Sequence, residues 1–293
     1  MYTSLYISSE KMHHAKPLPS QRQVHIARKA TLARVSHFLE AHKEDAELSY
    51  LKTHLKVSSS EIIAMFLFYD CHIFDYGNEI YDNLPIRFVQ YIHSRSESSW
   101  HVEKAAIVEG HVFASEYDRI LDIGFGIPSR YVRTAIASKS YGGRITLADK
   151  EESALAFART LLRFTSSDWQ ANIDLKIMNL DRLQLTEQFD LYLLLDSIEH
   201  AQNPSASFRQ IVSSAPNSAT FLLSLPIGNG VPVHHIHWKS REEAEDWVRT
   251  HGCNVIDVRE IHPRPGVDLF ASALTSEFFE IVVKAQKTAQ KSY

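Results

Sequence analysis

The second part of this sequence predicts an α/β fold built on a parallel sheet, and the first part predicts a helical extension. Two observations divide them. After residue 118, short apolar segments alternate with segments of helical spacing, the pattern of a sheet covered on both faces. Before it, the signals are helical. The expected organisation is therefore a helical region, 1–117, followed by a sheet domain, 118–293.

Within 21–42, Val24, Ala27, Leu32, Val35, Phe38 and Leu39 recur close to the helical period. Ser58 and Glu61, ahead of the apolar run Ile62 to Tyr69, form a capping-box pattern: the serine oxygen accepts from a helix N–H while the glutamate reaches back. Segments 84–94 and 98–114 supply two more helices. The apolar face from Ile62 to Phe68 must be buried, against the sheet domain or against another copy of the chain. A homodimer through these helices is one expectation.

The strand candidates are RILDI (119–123), RITLAD (144–149), DLKIMNL (174–180), FDLYLLLD (189–196), ATFLLSLP (219–226), NVIDVREI (254–261) and FFEIVVKA (278–285). Helices are expected at about 128–139, 151–165, 204–214 and 240–251. Asn203 and Pro204 suit a cap and first helical position, and Ser240 with Glu243 repeats the capping box. The last two strands are joined by a loop holding Pro263, Pro265 and Gly266, without a convincing helix, so antiparallel pairing is expected.

Composition narrows the function classes. With 31 basic and 35 acidic residues the net charge is −4, which gives no broad positive field for a nucleic-acid backbone. Cys71 and Cys253 are far apart and indicate neither a disulfide framework nor a cysteine-rich metal site. The first twenty residues lack the apolar core of a signal peptide, and the longest apolar run is too short to span a bilayer. The expectation is a soluble cytoplasmic protein without a nucleic-acid or membrane partner. The run VHHIHW, Val233 to Trp238, invites a metal reading, but no further ligands stand at recognisable spacing, so no metal is expected.

The strongest local signal is RILDIGFGIPSRYV, where a buried strand ends in Asp122, Gly124 and Gly126 and runs into a helix. Glycines at such a turn let a ligand approach the backbone, and the helix N-terminus offers N–H groups to an anionic group. Asp122 can accept from an ammonium. A dinucleotide-binding turn would need glycines at the first, third and sixth positions, but the sixth from Gly124 is Ser129. Asp149, at the end of the second strand, can accept from the two hydroxyls of a ribose, or can simply favour the next helix N-terminus; Lys150 follows it. Leu180 and Asp181 follow the third strand, where Asp181 is either a turn residue or an acceptor for a base amino group.

The exit of the fourth strand, FDLYLLLDSIEHAQNP, resembles the post-strand motif of small-molecule class I S-adenosylmethionine-dependent methyltransferases, with Asp196, Glu199 and His200 at its acidic and Glu-His positions. HIHWKSREEAEDWVRTHGCNV resembles the same family's segment in which a histidine-containing loop enters a capped helix. With Asp122 to Gly126 and Asp149, the matches run in order from 118 to about 285. Pro128 departs from the pattern, standing where many members carry a third glycine.

The resemblance implies a Rossmann-like seven-stranded methyltransferase sheet of order 3-2-1-4-5-7-6 with the last strand antiparallel. It implies S-adenosyl-L-methionine as cofactor, held by Asp122, Gly124, Gly126, Asp149, Lys150, Leu180, Asp181 and Asp196, and methyl transfer by in-line displacement to a small-molecule acceptor. His200, His235 and His237 are the candidates for moving a proton, each with a purely structural alternative. Trp100, His101 and Glu199 are candidate acceptor contacts, or packing and loop-anchoring residues. The aromatics Tyr69, Phe74, Tyr76, Tyr81 and Trp100 suit an apolar or cationic acceptor, or ordinary core. Another alkyl transfer from the same cofactor, or cofactor binding without turnover, are the competing readings.

Overall fold

The computed structural model describes residues 32–33, 35–72, 81–95, 100–115, 117–138, 141–228, 234–263 and 278–288, with side chains of 68–72 excepted. Residues 35–41 are helical, followed by α1 (Ala46–Leu55), α2 (Ser59–His72), α3 (Leu84–Arg95) and α4 (Trp100–Phe113). The sheet part then runs β1 (Arg119–Ile123), α5 (Arg130–Ala137), β2 (Arg144–Asp149), α6 (Glu152–Thr165), β3 (Ile173–Ile177) and β4 (Leu191–Leu195). It ends with α7 (Pro204–Ser214), β5 (Thr220–Ile227), α8 (Arg241–Thr250), β6 (Cys253–Ile261) and β7 (Phe279–Lys287).

The expected sheet is present: its order is β3-β2-β1-β4-β5-β7-β6, and β7 pairs antiparallel with both β5 and β6. The chain therefore reverses direction across the sheet between β1 and β4. Ligands of open parallel sheets bind in the crevice beyond the strand ends at such a switch point.

Local chemistry explains most element ends. Ser58 N–H donates to Glu61 Oε2 at 2.7 Å and Glu61 N–H to Ser58 Oγ at 3.2 Å, the capping box ahead of α2. Asn203 caps α7 by accepting from Ala206 N–H at 3.1 Å, with Pro204 at its first position. Ser240 accepts from Glu243 N–H at 3.2 Å, while Glu243 reaches back to Lys239 N–H at 2.8 Å. The third strand stops at Ile177 instead of 180, because the Asn179 side chain accepts from Asp181 N–H at 2.8 Å and starts a short turn at Leu180–Arg182. Helix α1 has no counterpart among the sequence expectations. Only Leu48 and Leu51 bury, a stripe too thin to announce a helix, and Asp45 fixes its start by accepting from Leu48 N–H at 2.8 Å.

Both faces of the sheet are covered. Leu121, Ile123, Leu194 and Leu223 pack on one side with Phe208, Ile211 and Val248 of α7 and α8. Ile120, Leu191, Leu193 and Leu222 pack on the other with Val132 of α5, Leu155 and Leu162 of α6, and Val108 and Val112 of α4. A third cluster joins Leu51, Ile62, Phe66, Phe88 and Ile92 to Phe157 and Leu161 on the outer side of α6. Helix α6 thus lies between the sheet and the first three helices, and Ile62 and Phe66 find their cover within the chain. No helix among the described residues is long and apolar enough to cross a membrane.

Candidate functional site

At the end of β1, Gly124 and Gly126 turn the chain with φ of 74° and 61°, a region that L side chains rarely adopt. Gly124 N–H donates to Ala148 O at 2.7 Å, tying the turn to β2. A Cβ on Gly124 would lie 2.6 Å from Ser197 Cβ, and one on Gly126 would lie 3.1 Å from Gln90 Nε2. The turn is therefore pressed between the exit of β4 and helix α3.

Two buried carboxylates flank it. Asp149 accepts from Gly126 N–H with Oδ2 and from Glu151 N–H with Oδ1, both at 3.0 Å. Each oxygen keeps a second lone pair. Asp122 accepts from the Tyr131 hydroxyl at 2.7 Å with Oδ2, while its buried Oδ1 has no hydrogen-bond partner. Burial pushes the Asp122 carboxyl up to about 7; the Tyr131 hydrogen bond opposes this and the charge of Asp149 adds to it.

These residues line a cavity of about 420 Å³. On the β2 side of β1 it takes in Lys150 and, after β3, Leu180 and Asp181. Lys150 is exposed and pairs with Glu151 at 3.1 Å. Asp181 accepts from Gln202 N–H at 2.6 Å, so one of its oxygens pins the loop after β4. From the helical part, α3 contributes Gln90 and Arg87. Buried Arg87 donates to Ser153 Oγ at 3.1 Å, to Gln90 Oε1 at 3.1 Å and to Tyr81 O at 2.7 Å, which joins α3 to the start of α6.

On the β4 side, Lys104 of α4 is buried between two acids: it hydrogen-bonds Asp196 and lies 3.0 Å from Glu280 Oε1. Trp100 Nε1–H donates to Glu280 Oε2 at 3.0 Å. Asp196, at a φ of 49°, donates its N–H to Ser224 Oγ at 2.8 Å. Burial raises the Asp196 carboxyl, but the Lys104 charge overrides this and holds it below the usual carboxylate range. Burial, with the charge of Asp196, pushes Glu280 up to about 7. One lysine thus serves two acids, and it keeps Asp196 ionised. His101 stacks on Trp100 with ring centroids 4.5 Å apart, and burial and the Lys104 charge hold it neutral with a value near 3.

Glu199 and His200 form a short turn at Ile198–His200 and both line the cavity. Burial, followed by the charge of Asp196, pushes Glu199 well above the usual range. Of the histidine run, His234 lines the cavity, with its ring 4.8 Å from that of His200. Burial, then His200, holds His234 at about 3. His235 and His237 are exposed and do not line it. His235 N–H instead donates to Glu199 O at 2.7 Å, which fixes the loop. Val233, Phe74, Tyr76 and the Tyr69 side chain lie outside the described residues.

The geometry thus gathers Asp122, Gly124, Gly126, Asp149, Lys150, Leu180, Asp181, Asp196, Trp100, His101, Glu199 and His200 around one cavity. It adds Gln90, Arg87, Lys104, His234 and Glu280. Of these, His234 alone had a sequence signal, as a neighbour in VHHIHW. Lys104 and Glu280 meet only through the packing of α4 on the sheet.

Solved structures share this architecture at low identity. The [4+2]-cyclase SpnF is 14% identical at a TM-score of 0.53, over 67% of this chain and 84% of its own. A putative methyltransferase from Bacillus halodurans is 13% identical at a TM-score of 0.51, over 64% of this chain and 100% of its own. A chain in the complex of the Haloferax volcanii Trm112 methyltransferase activator with a putative methyltransferase is 16% identical at 0.51, over 72% of this chain and 100% of its own. The fold is that of the class I methyltransferases. No protein-family model and no curated protein sequence matches the chain.

A shared fold does not fix a reaction, and one neighbour with the class I methyltransferase fold is a cyclase, so function has to be argued from the site. The site's chemistry fits S-adenosylmethionine. The unpartnered, buried Asp122 Oδ1 suits an ammonium. The N-terminus of α5, where Ser129 makes no side-chain cap bond, suits a carboxylate even though Pro128 offers no N–H. A side chain at Gly124 would crowd the turn, and Asp149 retains acceptor capacity for ribose hydroxyls.

Proposed function

We propose that this protein binds S-adenosyl-L-methionine and transfers its methyl group to a small-molecule N, O or C nucleophile. The observation that carries the reading is the pair of buried acids at the ends of adjacent strands, Asp122 and Asp149, flanking a glycine turn on one cavity. The sulfonium cofactor supplies an electrophilic methyl and a good leaving thioether. Asp122 receives the ammonium, the α5 N-terminus the carboxylate, and Asp149 the ribose. Leu180 and Asp181 flank the base, with Lys150 at the rim.

The chain's main contribution is then orientation and exclusion of water, which together can be worth about 7–11 kcal/mol. The helical region serves as the acceptor side and lid. Supporting this, α3 sets Gln90 against the glycine turn, and α4 lines the cavity with Trp100, His101 and Lys104. His200 and His234 are imidazoles on the cavity wall beside the proposed acceptor side. The absence of a broad positive field supports a small acceptor over a nucleic acid.

Calorimetry with S-adenosylmethionine, S-adenosylhomocysteine and NAD tests the binding step: the first two bind and NAD does not. NAD binding without binding of either sulfur ligand would overturn the reading. Mass spectrometry of acceptor products then separates methyl transfer, a gain of one methylene, from transfer of a larger alkyl group.

A further inference from the structure

We propose that Glu199, His200 and His234 form a binding site for a divalent transition-metal ion on the wall of the cavity, and that the ion selects an oxygen acceptor. One ligand atom from each of the three lies within 4.8 Å of those of the others. Two come from the short turn after β4 and the third from the loop after β5, so the cluster has no compact spacing in the sequence. That is why VHHIHW read by itself offers no ligand set.

Three observations support the assignment. Glu199 is 1% exposed, yet its Oε2 has no hydrogen-bond partner, an arrangement that costs free energy unless a cation completes it. The buried Nδ1 of His234 is likewise without a partner. The backbone bond from His235 N–H to Glu199 O, 2.7 Å, clamps the histidine loop to the turn, so the cluster is held before any ion arrives. Asp196 contributes negative potential beside Glu199 while its own oxygens are engaged by Lys104 and Ser224.

Two imidazoles and one carboxylate suit zinc, iron, cobalt or nickel better than magnesium or calcium, and three protein ligands leave positions open to the cavity. The second half of the proposal rests on the methyl-transfer reading. An acceptor hydroxyl bound at an open position becomes more acidic. Its proton goes to solvent water, its oxygen forms the new bond to the methyl, and the carbon–sulfur bond breaks with its electron pair retained by the neutral thioether.

Untagged full-length protein, stripped with chelator and titrated with cobalt(II) alone, tests the site by visible absorption. One cobalt ion per chain is expected, with ligand-field bands that are lost in Glu199→Gln and in His234→Ala and retained in the exposed-residue control His237→Ala. Circular dichroism confirms that each variant is folded, and His234→Gln replaces His234→Ala if the latter is not. No cobalt bands in the wild type, or unchanged bands in folded Glu199 and His234 variants, would overturn the site. Acetohydroxamate, a bidentate oxygen ligand, should shift the bands; unchanged bands would overturn its role toward an oxygen acceptor. S-adenosylhomocysteine calorimetry on the same protein separates the readings: binding without cobalt bands rejects the metal alone, whereas bands without binding reject the cofactor reading.

Discussion

Asp149 holds the backbone N–H of Gly126 at 3.0 Å, so the acid that ends β2 also clamps the turn that ends β1. The proposed ribose acceptor and the proposed backbone cradle are one mechanical unit. Replacing Asp149 by alanine should therefore weaken S-adenosylhomocysteine binding twice over, by removing an acceptor and by releasing the turn. A loss of about 1–3 kcal/mol is expected from the charged hydrogen bond. Asp149→Asn, which keeps one acceptor oxygen, should lose less. Calorimetry that finds Asp149→Ala as tight as wild type would contradict the assignment.

Gly124→Ala should destabilise the fold through two separable causes. Its φ of 74° costs an L residue about 1–2 kcal/mol, and its Cβ would stand 2.6 Å from Ser197 Cβ. Because the clash is with Cβ and not the hydroxyl, Ser197→Ala in the same chain should not relieve it, whereas Ser197→Gly should relieve part. Urea midpoints of the two double variants distinguish steric from conformational cost.

The strands, and the residues that sit on strand ends, were legible in the sequence because both are local. Asp122, Gly124, Gly126 and Asp149 each follow a short apolar run, and the run fixes where the side chain emerges. His234 was not legible as the cavity histidine. Which imidazole of VHHIHW turns inward depends on the bond from His235 N–H to Glu199 O, a contact between two loops. Lys104 and Glu280 were illegible for the same reason: a lysine on α4 and a glutamate on β7 become a buried pair only through tertiary packing. Helix α1 was missed because two buried leucines make too little periodicity.

Helix α6 is the joint between the helical region and the sheet, and Phe88 tests it. Its ring meets that of Phe157 edge-on at 5.3 Å, with both side chains fully buried. Phe88→Ala should cost about 3–5 kcal/mol of stability by leaving a cavity. Denaturant unfolding should also remain a single transition, since Phe157 and Leu161 belong to the same helix as the sheet-facing Leu155 and Leu162. For the same reason, deletion of residues 1–90 should expose the outer face of α6 and lower the melting temperature, not merely slow turnover. Two separate unfolding transitions in the wild type would show that the helical region is an independent module.

The sharpest consequence of the site's electrostatics concerns Asp122. Burial raises its carboxyl from 3.8 to about 7, so the folded chain holds a proton that the unfolded chain has already released between those values. The stability contribution is fully present below the unfolded value and is lost as pH rises through the folded one, on the order of a few kcal/mol in total. Ligand binding should run the opposite way. A cationic ammonium beside Asp122 Oδ1 favours the ionised carboxylate, so S-adenosylhomocysteine affinity should rise as pH climbs through about 7. Binding below that pH must then release a proton, which calorimetry in buffers of different ionisation enthalpy reads directly. Glu280 is raised into the same range, so the effect has to be isolated by mutation. Asp122→Asn should abolish the proton release and flatten the affinity profile, while Glu280→Gln should leave both in place. Proton release that survives Asp122→Asn would show that the ammonium is received elsewhere in the cavity.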